Sequence, residues 1–376
     1  MSLTVCLGAY SLRFSKAGAY RSMFLNWALG LKANGINVIW LDSVLKSFSS
    51  EYKNEIISEL KKELLLYGIE NLSVINNDGT DIEIDQFAYP IRNIDSIDLF
   101  INLGYDLPQF FVNRFKKNVF IDIDPGLTQI WMAAGDLKVA KHDYYFTYGE
   151  NVNHSELIPG CNIQWIYTPP AISIPLWKIP KNNDPDSPYT TVSNWWNPNW
   201  FILNDESFDN SKRSAFLKFK SIPLKVQSKI ELSAHFSDTK FDKMDRSLLE
   251  KNGWKVKHVL ETSTSVEEFR KYICYSRGEF SCLSPAYTKL QTAWTSERTL
   301  NYLASGRPAI ITNTGPSKFL PNDEGLFRFS SMKQAVKCFA KVESDYEKHS
   351  NCAIKLIEEY FDAKKVVANL LEYCLN

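Results

Sequence analysis

The sequence predicts an α/β protein built from two Rossmann-like domains that face each other across a cleft. Three observations carry this. Short apolar runs alternate with helical patterns, and the alternation restarts after residue 188. Between Trp177 and Tyr189 lies KIPKNNDPDSP, a Pro-, Asn- and Asp-rich linker that separates residues 1–180 from 188–345. The chain has 376 residues, 44% hydrophobic and 23% charged, which suits a globular protein of two domains at roughly 150 residues each.

The elements follow in order. Leu3–Gly8 reads as the first strand, and after the turn YSLRFSKAG a helix presents Met23, Phe24, Trp27, Ala28 and Leu31 on one face until Asn34-Gly35 ends it. Ile36–Leu41 is a near-continuous apolar run, as expected of a parallel strand buried on both faces. Glu51–Tyr67 is helical, and strands are expected at Leu72–Ile75, Asp98–Leu103, Val119–Asp124 and Tyr144–Tyr148. Beyond the linker, Thr190–Trp196, Trp254–Leu260, Glu279–Leu283 and Pro308–Thr312 read as strands. Helices are expected at Lys212–Phe219, Val266–Tyr275 (capped by Ser265 with Glu268), Ser296–Ser305 and Ser331–Val342. The tail from Asp345 to Leu375 is mostly helical, with a break near Phe361-Asp362.

Composition excludes several function classes. Lys+Arg and Asp+Glu are both 43, and this neutral balance speaks against nucleic acid or an anionic membrane as partner. No apolar run approaches the ~20 residues that span a bilayer, and no signal peptide is visible, so a cytoplasmic location is expected. Seven scattered cysteines without a CxxC pair fit a reduced compartment. The five histidines never pair at ligand spacing, so no histidine-ligated metal site is expected. Asp122-Ile-Asp124 is open to two readings, a carboxylate pair holding a metal against a diphosphate or an Asp-Pro-Gly turn. No GxGxxG follows the first strand, since Gly8 has no glycine after it until Gly18, and no GxxxxGK[ST] exists, so neither a nicotinamide cofactor nor a Walker-type site is expected.

The informative stretch is 277–329. Its grammar is a strand (GEFSC), a long loop, a helix opening at Thr295-Ser296, Gly306 ending that helix, a strand (PAIIT), and a loop with Thr314-Gly315. A helix starting at the carboxyl edge of a parallel sheet offers free N–H groups and a positive dipole to a phosphate. Ser296 is a natural N-cap, and Arg298 in the first turn either clamps the anion or pairs with Glu297 or Glu279. The dense aromatics Trp195, Trp196 and Trp200 are assigned to the core rather than to sugar stacking.

The block SERTLNYLASGRPAIITNTG, then LP, then EGLFRF, resembles the nucleotide-sugar-binding half of glycosyltransferases with the GT-B fold. DIDPGLTQ (122–129), FTYGEN (146–151), YTTVSNWW (189–196), SRGEFS (276–281), DYEKHS and EEYFD are similar to segments of a bacterial subgroup related to families 1 and 4. The resemblance implies a GT-B-like architecture, with 1–180 as acceptor domain, 188–345 as donor domain, and a C-terminal helix, about 350–376, returning to the first domain. It implies a hexosyltransferase-like, metal-independent enzyme that takes a nucleotide diphosphate-sugar as co-substrate, needs no other cofactor, and acts on a small-molecule, glycan or protein acceptor.

Carried onto this sequence, the donor side comprises Ser193, Asn194, Lys289, Thr295, Ser296, Glu297, Arg298, Asn301, Thr314 and Gly315, with Lys289 and Arg298 facing the diphosphate. Gly18 resembles the glycine of the acceptor-side first loop. The catalytic base is expected to be Asp124, with Asp122 pointing the same way and His142 as the other candidate. Retaining members carry glutamates where this chain has Ala293 and Asn301, which leaves an inverting route or an altered site open; Glu297, one turn before Asn301, is a substitute for the ribose contact. Two alternatives share this architecture: a nucleotide-sugar 2-epimerase, and a catalytically inactive nucleotide- or sugar-binding subunit.

Overall fold

Parallel strands buried on both faces organise the chain into two α/β units. In a computed structural model, residues 3–82, 94–180, 184–197, 200–203 and 205–376 are described. The middle of the expected linker, residues 181–183, lies outside them. The first unit comprises residues 1–148, 159–173 and 363–376, and the second comprises 149–158 and 174–362.

The first unit runs β1 (Thr4–Gly8), α1 (Gly18–Ala33), β2 (Asn37–Val44), α2 (Ser50–Leu66), β3 (Asn71–Asn76), β4 (Leu99–Asn102), α3 (Gln109–Val112), β5 (Asn118–Asp122), α4 (Leu127–Ala134), β6 (Tyr144–Thr147) and β7 (Trp165–Tyr167). Its sheet has the order β3-β2-β1-β4-β5-β6-β7 with every pairing parallel. The order reverses between β1 and β4, so the loops after those strands flank a switch point at the carboxyl edge. A 3-10 turn, Ser11–Phe14, fills the loop after β1 in place of a glycine-rich turn. The buried carboxylate of Asp42 holds that turn, accepting from the Ser11 hydroxyl at 2.6 Å and the Leu12 amide at 3.1 Å.

The second unit follows with α5 (Ile174–Trp177), β8 (Tyr189–Ser193), β9 (Phe201–Leu203), β10 (Glu206–Phe208), α6 (Lys212–Lys218), β11 (Ile230–Ala234), α7 (Lys240–Lys251), β12 (Lys255–His258), α8 (Val266–Tyr275), β13 (Gly278–Ser281), α9 (Pro285–Leu290), α10 (Glu297–Ala304), β14 (Ala309–Thr312), β15 (Leu326–Phe329), α11 (Met332–Ser344) and α12 (Tyr346–Leu356). Its parallel sheet is ordered β12-β11-β8-β13-β14-β15, and β9 and β10 form a separate antiparallel hairpin. Here the order reverses between β8 and β13. Those two strands pair only at Tyr189↔Gly278 and Thr190↔Glu279, although β8 continues to Ser193 and β13 to Ser281.

A five-residue π-helical turn, Ile357–Phe361, ends α12, and after Asp362 the chain returns to the first unit as α13 (Ala363–Leu375). The expected break near Phe361-Asp362 is this turn. The docking is local: the Asn34 side-chain amide, at the end of α1, donates to the Lys364 carbonyl at 2.9 Å.

Several elements go beyond the sequence reading, which assigned nothing between Phe219 and Trp254. That interval holds β11 and α7. β11 carries Glu231, fully buried, an unusual residue for a central strand; Lys255 and Lys257 on the neighbouring strand neutralise it at 2.8 and 3.1 Å. The expected tryptophan core is also corrected. Trp195 is buried and donates to Asp245, whereas Trp196 and Trp200 are 48% and 56% exposed. Trp196 stays at the surface because its indole N–H donates to Asp242 and the Arg213 guanidinium covers its ring.

Candidate functional site

The carboxyl edge of the second sheet is shaped by two loops, 291–296 after α9 and 313–321 after β14. Ser296 caps α10 as the sequence predicts, its hydroxyl accepting from the Thr299 amide at 3.3 Å. The helix ends at the A-x-G-x-P turn: Gly306 has φ +66°, its N–H donates to the Leu303 carbonyl, and the Arg307 N–H reaches back to the Tyr302 carbonyl. This double closure fixes the length of α10 and so the position of its N-terminus.

The loop ahead of α10 is held by the one after β14. The Thr314 hydroxyl donates to the Trp294 carbonyl at 2.7 Å, and the Ala293 N–H donates to the Thr314 carbonyl at 2.8 Å. Gln291 and Ala293 both have left-handed backbone, φ +53° and +61°. Gly315 has φ +116°, and a Cβ there would lie 2.5 Å from the Gln291 carbonyl oxygen. Gly315→Ala is therefore expected to cost about 2 kcal/mol or more in urea unfolding and to weaken any ligand held by this loop.

A further clamp comes from the FTYGEN segment. The Asn151 side-chain amide donates to the carbonyls of Gln291 and Pro316, at 3.0 and 2.9 Å, while Glu150 accepts from the Ser317 hydroxyl and the Lys318 amide. Sequence reasoning noted the motif but missed this role, because the partners stand about 140 to 168 positions away.

Within the loop, three buried polar atoms have no hydrogen-bond partner among the described residues: Thr292 Oγ1, Trp294 Nε1 and Thr295 Oγ1. Thr292 and Thr295 are 0% and 4% exposed. Leaving a buried polar group unsatisfied costs about 1–3 kcal/mol, so such a group wants an explanation. The Trp294 ring is fixed by stacking on Tyr287 at 4.1 Å. The backbone of this loop is thus rigidly clamped while its side-chain dipoles are unspent.

Arg298 corrects the sequence expectation. Its guanidinium turns into the sheet, donating to Glu279 Oε1 at 2.6 Å, the Val192 carbonyl at 3.0 Å and the Ser281 hydroxyl at 2.8 Å. It fills the gap where β8 and β13 diverge. The alternative pairing with Glu279 is the one observed, but buried rather than at the surface. Glu297 and Asn301, one turn apart, share a buried face of α10. Ser193 directs its hydroxyl to the Asn194 carbonyl, and Asn194 itself is exposed. Lys289 is exposed; its ammonium sits 3.8 Å over the Phe208 ring and lines a cavity that Arg298, Ser296 and Thr314 do not line.

On the first unit, the two carboxylates at the end of β5 do not point the same way. Asp122 is fully buried and accepts four hydrogen bonds: from the Asp124 amide (3.0 Å), the Thr128 hydroxyl (2.6 Å), the Gln129 amide (2.9 Å) and the Thr147 hydroxyl (2.8 Å). Burial pushes its pKa up to about 6. Its four hydrogen bonds hold the turn that follows β5. Asp124 lies past the strand, half-buried, and accepts from the Tyr105 hydroxyl at 2.8 Å. Tyr105, in the loop after β4, escaped sequence reasoning; that loop and the β5 end are adjacent only because β4 and β5 pair.

His142 is also corrected. Nδ1 lies 2.7 Å from the Ala140 carbonyl, which makes it the protonated nitrogen, so Nε2 accepts from the Asn102 amide at 3.1 Å. With both nitrogens used, and burial holding its pKa down to about 4, it is a neutral structural histidine. Gly18 is the first residue of α1 and is buried. Among the described residues, no group of three His, Cys, Asp or Glu is placed to hold a metal, and no helix is long and apolar enough to cross a membrane.

No protein-family model and no curated protein sequence matches the chain. Solved structures do. The chain is similar to an α-glucosyltransferase in complex with UDP and a 13-mer DNA, with TM-score 0.62, 11% identity and all of both chains covered. A glycosyltransferase from Rickettsia africae gives TM-score 0.58 and 11% identity over 99% of this chain and 97% of that one. HepE of Anabaena, in complex with UDP and glucose, gives 0.58 and 10% over 99% of each. At such identities the shared property is the fold, and the α/β architecture with two parallel sheets is GT-B-like, that of these glycosyltransferases.

Proposed function

We propose that the chain is a glycosyltransferase that moves a sugar from a nucleoside diphosphate-sugar to an acceptor hydroxyl without a metal ion. The observation that carries this is the loop at 292–295: buried, partnerless polar groups placed directly ahead of the α10 N-terminus, at the carboxyl edge of a parallel sheet. A diphosphate supplies the acceptors these groups lack, and the amides and dipole of α10 stabilise the charge that builds up as it leaves. The helix end does this electrostatic work, so no divalent ion is required.

In this reading Asp124 takes the proton from the acceptor hydroxyl as its oxygen attacks the anomeric carbon, and the bond from that carbon to the diphosphate breaks. Tyr105 orients the carboxylate. The neighbours solved with UDP make a UDP-sugar the first donor to try. Although one neighbour is solved with DNA, the charge balance of this chain, 43 against 43, favours a small-molecule, glycan or protein acceptor in the cytoplasm.

A thermal-shift titration against UDP, GDP, dTDP, CDP and ADP, with and without magnesium, tests the reading. One diphosphate is expected to stabilise the protein by about 2.7 kcal/mol at a hundredfold excess over its dissociation constant, equally without magnesium. No shift with any of the five contradicts it.

A further inference from the structure

We propose that a cavity on the second unit, which meets the loop ahead of α10 only at Gln291, binds a small organic anion with an apolar body. The cavity encloses about 430 Å³ and lies at the carboxyl ends of β13, β14 and β15, where Leu283, Thr312 and Phe329 line it. This is the edge at which open α/β sheets take ligands. Its floor is apolar: Phe219, Leu283 and Phe329 are all buried, and the two phenyl rings meet edge to face at 5.0 Å.

Charge selects the ligand. Among the described residues, Lys218 and Lys289 line the cavity and no acidic residue does. Neither lysine joins an ion pair among the described residues. Their ammonium groups instead lie over phenyl rings, Lys218 at 5.8 Å from Phe219 and Lys289 at 3.8 Å from Phe208. In a chain whose charges balance overall, a cavity with two unneutralised cations is a local excess that attracts an anion. Its volume suits a small organic molecule rather than a bare inorganic ion, and the phenyl floor supplies the contact for an apolar body. Polar groups from Asn313 and Ser330 complete the wall. Of the loop ahead of α10, only Gln291 is shared with this cavity.

The test is calorimetric titration of the full chain with phenyl phosphate, and with phenyl glucoside as the uncharged control. Phenyl phosphate is expected to bind at one site, phenyl glucoside at least tenfold more weakly, and saturating UDP to leave the phenyl phosphate isotherm intact. Lys218→Met is expected to weaken phenyl phosphate at least fivefold, and Ala215→Phe, which fills the cavity from α6, to abolish it; unchanged UDP affinity of the Ala215 variant shows that the variant is folded. Absence of saturable binding, indifference to both substitutions, or displacement by UDP overturns the proposal. Should UDP fail to bind the unsubstituted protein, that result counts against the donor-site reading alone, since the phenyl phosphate isotherm and its loss in Lys218→Met are read independently.

Discussion

Replacing Arg298 by alanine is expected to cost about 3–5 kcal/mol of folding stability, the price of leaving a buried carboxylate without its cation. Glu279 is 0% exposed and its Oε1 accepts from Arg298 at 2.6 Å, while Oε2 already has no hydrogen-bond partner. The same substitution removes the donors that close the β8–β13 gap at the Val192 carbonyl and the Ser281 hydroxyl. Against a total stability of roughly 5–15 kcal/mol, this is about a fifth or more. Urea unfolding of Arg298→Ala measures it. A double variant, Arg298→Met with Glu279→Leu, is expected to recover part of the loss, because replacing both members by apolar groups removes the orphaned charge. A single variant that unfolds normally yet loses nucleotide would return the guanidinium to the diphosphate and contradict the geometry.

Asp124→Asn is expected to lower kcat by about 10²- to 10⁴-fold with nucleotide affinity and melting temperature nearly unchanged. An asparagine still accepts the Tyr105 hydroxyl, so only the proton acceptor is lost. Asp122 answers differently. Four donors converge on it, and burial lifts its pKa to about 6, above the value near 4 of a free carboxylate. Its folded-state pKa being raised, its contribution to stability is full below about pH 4 and is lost as pH rises through about 6. Asp122→Asn is therefore a stability variant first, since its amide presents an N–H where an oxygen accepted. Equal kinetic losses in both variants, with equal stability losses, would remove the distinction between base and positioning residue.

What the sequence made legible was local. The Ser265 and Ser296 caps, the Gly306 closure and the apolar runs of strands buried on both faces are each decided within a few residues. The strands missed are short or carry a charge inside: β7 has three residues, β11 contains Glu231, and β15 contains Arg328. Glu231 is tolerated only because two lysines of β12 meet it, a fact about pairing that no window on β11 contains. Site residues divide the same way. Ser296 could be read from its own helix, whereas the direction of Arg298 depends on how β8 and β13 diverge, and the partner that occupies Nε2 of His142 is Asn102, 40 positions away. The DxD pair was misjudged because β5 ends at Asp122; past the strand end, alternation no longer dictates where Asp124 points.

In the proposed reaction the buried hydroxyl of Thr295, without a partner among the described residues, binds the donor's diphosphate. Calorimetric titration of UDP into the native protein and into Thr295→Val, with melting temperatures for both, tests it most directly. Removing a buried hydroxyl that lacks a partner is expected to leave the ligand-free protein as stable or more stable, while weakening UDP about tenfold. Unchanged UDP affinity in Thr295→Val, or no UDP binding by the native protein, would exclude Thr295 as a diphosphate ligand.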